Sequence, residues 1–328
     1  VSGGVADVSV AAQNNFNNNA GTNNGLTMNV KTMNADASSN TIKVVGKVDS
    51  SGNNQSAATT ITANGGSATA GLSFVGATTN KYISRDTASW QNGSITANNN
   101  TVDLTTSYTY TAAGKGALKK AALPTFTAMG GNASGSLGNM NTNVNVTLGN
   151  LRLESTGNAI TINNSIDITG APKGQLDTSY TLTGGASSFG INNTAPALTD
   201  AQGKALAITP QPFNIAKASP VLIASSNTIN VTETIKGTAG SGSASSSSAT
   251  VDTIEGGNAS FTYLDDVSAK SAVSLSPTIK VTGNTATITS TDTSNGDVAS
   301  IEGSTYSGGT AASTVTSGKA PVAGETAV

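Results

Sequence analysis

Short runs of alternating apolar and polar residues recur along the chain, and glycine or asparagine closes most of them. Four of these runs place β-branched residues two positions apart: Thr41–Val45, Ala159–Ile162, Thr228–Val231 and Thr278–Val281. Side chains of a β-strand alternate between two faces, whereas a helix repeats every 3.6 residues. The pattern therefore predicts a chain built almost wholly of short β-strands.

The longest predicted strand covers 101–111, where five side chains share one face: Val102, Leu104, Thr106, Tyr108 and Tyr110. The run that starts at Thr278 is followed by Gly283-Asn284 and a second alternating run over 285–289, which predicts a β-hairpin. Two stretches, 116–123 and 199–206, carry short helix signals.

These strands and their Gly/Asn turns predict an all-β protein of β-sandwich-like or Greek-key units. A β-solenoid is the alternative, and a solenoid shows a repeated sequence period, commonly of about 20 to 50 residues. The alternating runs begin at unequal spacings, and no period in that range is found. We therefore expect the sandwich rather than the solenoid.

Two features predict a division of the chain near residue 200. Four of the eight prolines lie close together, at Pro196, Pro210, Pro212 and Pro220, and a Ser-rich stretch over 237–249 follows them. The expected organisation is an N-terminal arm and linker over 1–25, a β domain over 26–200 and a second β region over 201–328. One large domain is the alternative.

Composition limits the kinds of partner that the protein can have. Charged residues make up 10% of the chain, against about 25% in an average soluble domain, and there are 35 asparagines. Nucleic acid is not an expected partner, because phosphate binding needs clustered Lys and Arg and the main basic cluster is Lys115, Lys119 and Lys120. No apolar run reaches the ~18 residues of a membrane-spanning helix.

The residue types needed for most catalytic sites are missing. The chain has no His and no Cys, which removes the usual general base, the usual nucleophile pairs and the common zinc, copper and iron ligands. Asp265 and Asp266 are adjacent, so on a strand they point to opposite faces. We therefore predict no catalytic residue, no cofactor and no metal site, and the protein is not expected to be an enzyme; a carbohydrate-active enzyme is the disfavoured alternative. The segment from Asp292 to Asp297, with Glu302 after it, has only part of a calcium loop's ligand pattern.

The N-terminal segment has the pattern of a joining strand. Its residues Ala6, Val8, Val10 and Ala12 alternate with more polar ones and share one face, and the polar stretch Asn14–Gly25 follows. An apolar strand on a flexible linker is what donor-strand exchange requires, in which one subunit's strand completes the sheet of the next. Such a head-to-tail contact does not close, so it gives filaments. The alternative is that the strand pairs within its own domain.

A chain rich in Asn, Thr, Ser, Gly and Ala, poor in charge and free of Cys resembles subunits of microbial extracellular filaments, surface-layer proteins and β-rich adhesins. The start at Val1 is what removal of a signal peptide would leave. The resemblance implies an extracellular or cell-surface structural subunit whose partners are copies of itself. The alternative is a surface adhesin or phage fibre-type binding protein, with glycans or a host surface as partner.

Overall fold

The fold was obtained as a computed structural model, which describes residues 1–13, 26–51, 60–75, 86–111, 124–140, 144–171, 178–194, 213–239, 253–266, 272–292 and 305–317. The predicted helices over 116–123 and 199–206 lie outside these residues. So do the linker Asn14–Gly25 and most of the partial calcium loop.

The described residues form 22 strands in three sheets. Sheet 1 contains β2 (Thr27–Asp36), β5 (Asp86–Thr96), β9 (Val144–Thr156), β13 (Phe213–Ala218), β14 (Val221–Ser225), β18 (Val273–Leu275) and β19 (Thr278–Thr282). Sheet 2 contains β3 (Thr41–Ser51), β6 (Thr101–Thr111), β10 (Ala159–Ala171), β15 (Thr228–Ala239) and β20 (Thr285–Asp292).

Sheet 3 is the widest, because diglycines divide most of its strands in two. It contains β1 (Ser2–Gln13), β4 (Thr60–Val75), β7 (Thr125–Met129), β8 (Asn132–Met140), β11 (Ser179–Thr183), β12 (Ala186–Thr194), β16 (Thr253–Glu255), β17 (Asn258–Asp265), β21 (Thr305–Ser307) and β22 (Thr310–Ser317).

The chain visits sheets 1, 2 and 3 in turn, five times, and each strand pairs in parallel with the equivalent strand of the next coil. This is a parallel β-helix. The all-β expectation is right, but the sandwich or Greek-key expectation is wrong and the solenoid alternative is the fold. The predicted hairpin is also wrong: β19 and β20 pair with β14 and β15 in different sheets, and Gly283-Asn284 is the corner between those sheets.

Every corner between sheets 1 and 2 ends with two residues of the same form. The first residue has a left-handed backbone: Ser39, Asn99, Gly157, Ser226 and Gly283 have φ between 54° and 65°. The second residue is always asparagine, at Asn40, Asn100, Asn158, Asn227 and Asn284. Asn and Gly adopt this conformation more readily than most residues, and they occupy three of the five left-handed positions; serine occupies the other two.

The five corner asparagines stack along the helix axis, and we call them the asparagine ladder. Each side-chain Nδ2 donates to the Oδ1 of the next asparagine, at 2.8 Å from Asn40 to Asn100 and at 2.9–3.0 Å in the three later steps. Each backbone N–H donates to the same oxygen, at 2.9–3.0 Å. Since Asn100, Asn158 and Asn227 are fully buried, every rung depends on the next to satisfy its polar groups.

A second ladder, of diglycines, lies opposite the asparagines in sheet 3. It contains Gly3-Gly4, Gly65-Gly66, Gly130-Gly131, Gly184-Gly185, Gly256-Gly257 and Gly308-Gly309. A Cβ on Gly130 would collide with the carbonyl oxygen of Gly184, and one on Gly131 would come within 2.8 Å of Asn158 Oδ1. Only glycine lets sheet 3 approach both its own next rung and the asparagine ladder so closely.

The two ladders divide the interior into two apolar cores. One lies between sheet 2 and the first halves of the sheet 3 strands, and includes Phe126 stacked on Tyr180 at 5.2 Å between ring centroids. The other lies between sheet 1 and the second halves, and includes Trp90, Phe189 and Phe261. All three sheets continue across position 200, since β9 pairs with β13 and β14 and β12 pairs with β17. The two expected regions therefore share one set of sheets.

Substitution of Asn158 by Ala should destabilise the whole helix. The change removes the acceptor for two donors of Asn100 and leaves them buried without a partner, so we expect a loss of about 3 kcal/mol in the free energy of unfolding. Asn163→Ala, in the strand β10 that follows Asn158 but exposed, is the matched control and should change it by less than about 0.5 kcal/mol. Urea unfolding measures both, and equal effects would mean that the ladder is not a source of stability.

Candidate assembly surfaces at the two ends

The N-terminal segment predicted to join subunits lies against its own chain. β1 pairs in parallel with β4 over its whole length, with Val8 opposite Ala70 and Val10 opposite Leu72. The four side chains Ala6, Val8, Val10 and Ala12 share the inward face, where they pack on the core between sheets 1 and 3. The structure thus has the intramolecular pairing that the sequence left open as the alternative, and β1 is the first strand of sheet 3.

The last coil leaves apolar side chains partly exposed. Ile279, Val281, Ala286 and Ile288 point inward but are only partly buried. Their equivalents one coil earlier, Leu222, Ala224, Ile229 and Val231, are 0–1% exposed. The difference arises because no further rung among the described residues covers the last one. Partly buried side chains at the first rungs, such as Val8, Val30 and Val44, form the corresponding surface at the other end.

The backbone at the two ends offers complementary hydrogen-bonding groups. In sheet 2 the first N–H of each strand donates to the carbonyl of the preceding rung's asparagine, a series that runs from Thr101 to Asn40 through Thr285 to Asn227 at 2.8–2.9 Å. By the same geometry, the N–H of Thr41 points outward at the N-terminal end of the helix, and the carbonyl of Asn284 points outward at the C-terminal end. Stacking two copies end to end would extend the series by one bond.

The asparagine ladder has the same complementarity. Within the ladder, Nδ2 of Asn158 and of Asn227 donates both to the next asparagine and to a group near the end of sheet 1. At Asn284 the described hydrogen bonds include only the second kind, to Ala224 O at 2.9 Å. The C-terminal end therefore presents an amide donor, and the N-terminal end presents the side chain of Asn40, whose Oδ1 stands where the next acceptor would be.

Two of the C-terminal edge strands have little of the usual protection against pairing. Proteins protect exposed edges with charged residues, proline or bulges, but β22 contains no charge and no proline, and β20 has only Asp292 at its end. The third, β19, carries the exposed Lys280. Among the described residues no strand pairs with the outer edge of these three strands.

Two of the three carboxylates that are buried among the described residues, Glu233 and Asp265, accept hydrogen bonds from buried tyrosines. Glu233, 1% exposed, accepts hydrogen bonds from Thr178 Oγ1 and Tyr180 OH, both at 2.6 Å, and from Asn164 Nδ2 at 3.2 Å. Burial and the adjacent carboxylate raise the pKa of Tyr180 far above its usual value. Asp265 similarly accepts from Asn193 and Tyr263, and burial raises the pKa of Tyr263. Both clusters satisfy polar groups within the core.

The described residues contain no group of three or more His, Cys, Asp or Glu that could hold a metal ion. Asp265 and Asp266 point as predicted, one buried and the other exposed. Across the same ranges no helix is long and apolar enough to cross a membrane, in keeping with the expectation of no such span.

Sequence reasoning missed the C-terminal half of the candidate surface. The alternating pattern over 278–289 predicts a hairpin, in which Ile279 and Ile288 would belong to one pair of strands. The sequence signal that could have identified them is a Ser, Asn or Gly followed by Asn and then by Thr or Ala. It recurs at Asn40, Asn100, Asn158, Asn227 and Asn284.

The chain was also compared with known proteins, and no protein-family model, curated protein or solved structure matches it.

Proposed function

We propose that the protein is a structural subunit of an extracellular filament or surface assembly, joined end to end by stacking of its coils. The observation that carries the proposal is the pair of open, complementary ends. Each end repeats the contact that already holds neighbouring rungs together, so a second copy of the chain is the partner that fits it.

The strength of such a joint can be estimated from the last coil. Complete burial of an aliphatic side chain is worth roughly 1.5–3 kcal/mol, so each partly exposed one would add on the order of 1 kcal/mol. Four such side chains on the C-terminal end, with their counterparts on the N-terminal end and a net gain of two strand pairs, would offset a substantial part of the loss of translational and rotational freedom. The contact joins different surfaces of the two copies, so it propagates into a fibre rather than closing as a dimer.

Composition supports association between copies. A surface of hydroxyl and amide groups with a net charge of −2 gives little repulsion between copies, which favours association. Donor-strand exchange through Ala6, Val8, Val10 and Ala12 would insert β1 itself into another copy, whereas coil stacking joins groups that are already directed outward at the ends of sheets 1 and 2.

The outer face of sheet 2 favours the adhesin alternative. Its in-register columns are rich in hydroxyl and amide side chains, such as Thr105, Asn163, Thr232 and Thr289. Parallel strands space these groups about 4.8 Å apart, so the face suits a polar polymer such as a polysaccharide. Retention of the protein on immobilised polysaccharide, lost in Thr232→Lys and kept in Ser260→Lys on the outer face of sheet 3, would support that function; equal retention would argue against it.

End-to-end joining predicts that a charge on the last inward position prevents assembly. In Ile288→Lys the ammonium can reach water through the open end of a single copy, but it would be buried in the joint. We expect association to weaken by about 3 kcal/mol or more, roughly a hundred-fold. Thr289→Lys, on the exposed side of the same strand, is the matched control and should assemble normally. Sedimentation and electron microscopy measure the result, and normal filaments from Ile288→Lys would contradict end-to-end stacking.

The assembly should also be insensitive to salt. Apolar contacts and backbone hydrogen bonds hold the proposed joint, and screening acts only on charges. At about 1 M NaCl, where the Debye length is about 3 Å, we expect filaments of unchanged length. Dissolution by salt would mean that ionic contacts hold the subunits together.

A further inference from the structure

Sheet 3 has one more rung than the other two sheets. Among the described residues, sheets 1 and 2 have five rungs each, whereas sheet 3 has six: β1, β4, β7–β8, β11–β12, β16–β17 and β21–β22. The described chain starts and ends in sheet 3, so a strand of this sheet, β1 or β22, lies at each end of the stack.

The extra strand decides how two copies can stack. The chain runs from sheet 3 to sheet 1 to sheet 2, so β2 and β3 lie between β1 and β4 along the helix. If β1 of one copy paired with β22 of another, β2 and β3 would stand two rungs from β19 and β20, and one rung of sheets 1 and 2 would be left empty. If β4 pairs with β22 instead, β2 meets β19 and β3 meets β20, and no rung is left empty.

β22 resembles β1 in the residues that would contact β4. Gly4 stands opposite Gly66, and Gly309 belongs to the same diglycine ladder. Ala6 pairs with Ala68, a position that runs through Ala133, Ser187 and Ala259 to Ala311 in β22. A strand with small inward residues and a diglycine at the same register is therefore present at both ends of the molecule.

Charge favours the arrangement in which β4 meets β22. One outward column of sheet 1 runs through Asp36, Thr96, Glu154, Ile223 and Lys280. With β2 stacked on β19, Asp36 of one copy stands directly opposite Lys280 of the other, an oppositely charged pair. With β1 on β22 the two residues are two rungs apart.

We propose that β1 is a removable cap on the N-terminal end. When copies join, β22 of one copy displaces β1 of the next from β4, and the β-helix continues through the joint without a missing rung. The proposal rests on the proposed function. The pairing of β1 with β4 is replaced rather than lost, and two further strand pairs form, so a second copy of the chain is able to compete with the cap.

A disulfide that locks the cap tests the displacement. Thr69 Oγ1 donates to Asp7 Oδ1 at 2.7 Å across the outer face of β1 and β4, and the chain has no cysteine of its own. In the full chain carrying Asp7→Cys and Thr69→Cys, we expect filaments to be lost after oxidation and restored by reduction. Ser134→Cys with Ser188→Cys, an outer pair 3.2 Å apart between β8 and β12, is the control and should assemble in both states. Adjacent parallel strands suit the spacing of a disulfide.

The disulfide would block donor-strand exchange as well, so a second experiment is needed to distinguish the proposed joint from it. Charge reversal at the joint makes that distinction. Lys280→Glu sets two negative charges against each other in the proposed joint and should reduce assembly several-fold at low ionic strength. Lys236→Glu, exposed and one coil inward, should not.

The outcomes distinguish failure of the removable cap from failure of the proposed function. Equal assembly of the locked protein in both redox states, loss in both, or equal effects of the two lysine variants would overturn the removable cap while leaving end-to-end joining in place. Absence of any assembly by the unmodified chain would instead overturn the proposed function itself.

Discussion

In-register stacking of the five corner asparagines is the constraint on which the rest of the structure depends. A buried amide has to satisfy its donors and acceptor, and here each one does so with the same amide in the next rung. That requirement fixes the spacing and register of successive coils. It also fixes the left-handed residue that turns the chain into each asparagine, and the diglycine that lets sheet 3 come close enough to enclose it.

The same constraint leaves the outside of the molecule free. Rungs must agree where they stack, but the connections between them need not. The segment between β8 and β9 covers 141–143, whereas the one between β12 and β13 covers 195–212. Successive asparagines are consequently 60, 58, 69 and 57 residues apart. These spacings are unequal and longer than the commonly expected repeat period, so a search for a shorter fixed period does not detect the coils. What recurs in each coil is the corner and the diglycine, whereas the number of residues in the coil varies.

Local pattern predicted the strands well, and the pairing of those strands poorly. The strand expected over 101–111 is β6, and the inward face of β1 contains the four residues that the alternation indicated. Whether strands pair in parallel or antiparallel depends on residues more than 50 positions away, which alternation does not record. Gly283-Asn284 illustrates the difficulty, because a hairpin turn and a corner between two sheets both need a backbone that Gly and Asn supply. The open ends could not be predicted before the pairing was known, since exposure of Ile279 or Ile288 is a property of the last rung and not of its sequence.

A fold that gains stability by repeating one contact has no internal reason to stop. Each end of the stack is the same surface as the interface between any two rungs, and repeat proteins remain soluble only when a distinct terminal unit covers that surface. In this chain β1 covers only the sheet 3 part of the N-terminal end, and the edge strands β20 and β22 carry almost no charge to oppose pairing. In the proposed assembly this partial cover would slow association without preventing it, because a strand with the same diglycine register could take its place and bring two further strands into contact. The length of the assembly would then be governed by competition between β1 and β22 for one edge of β4.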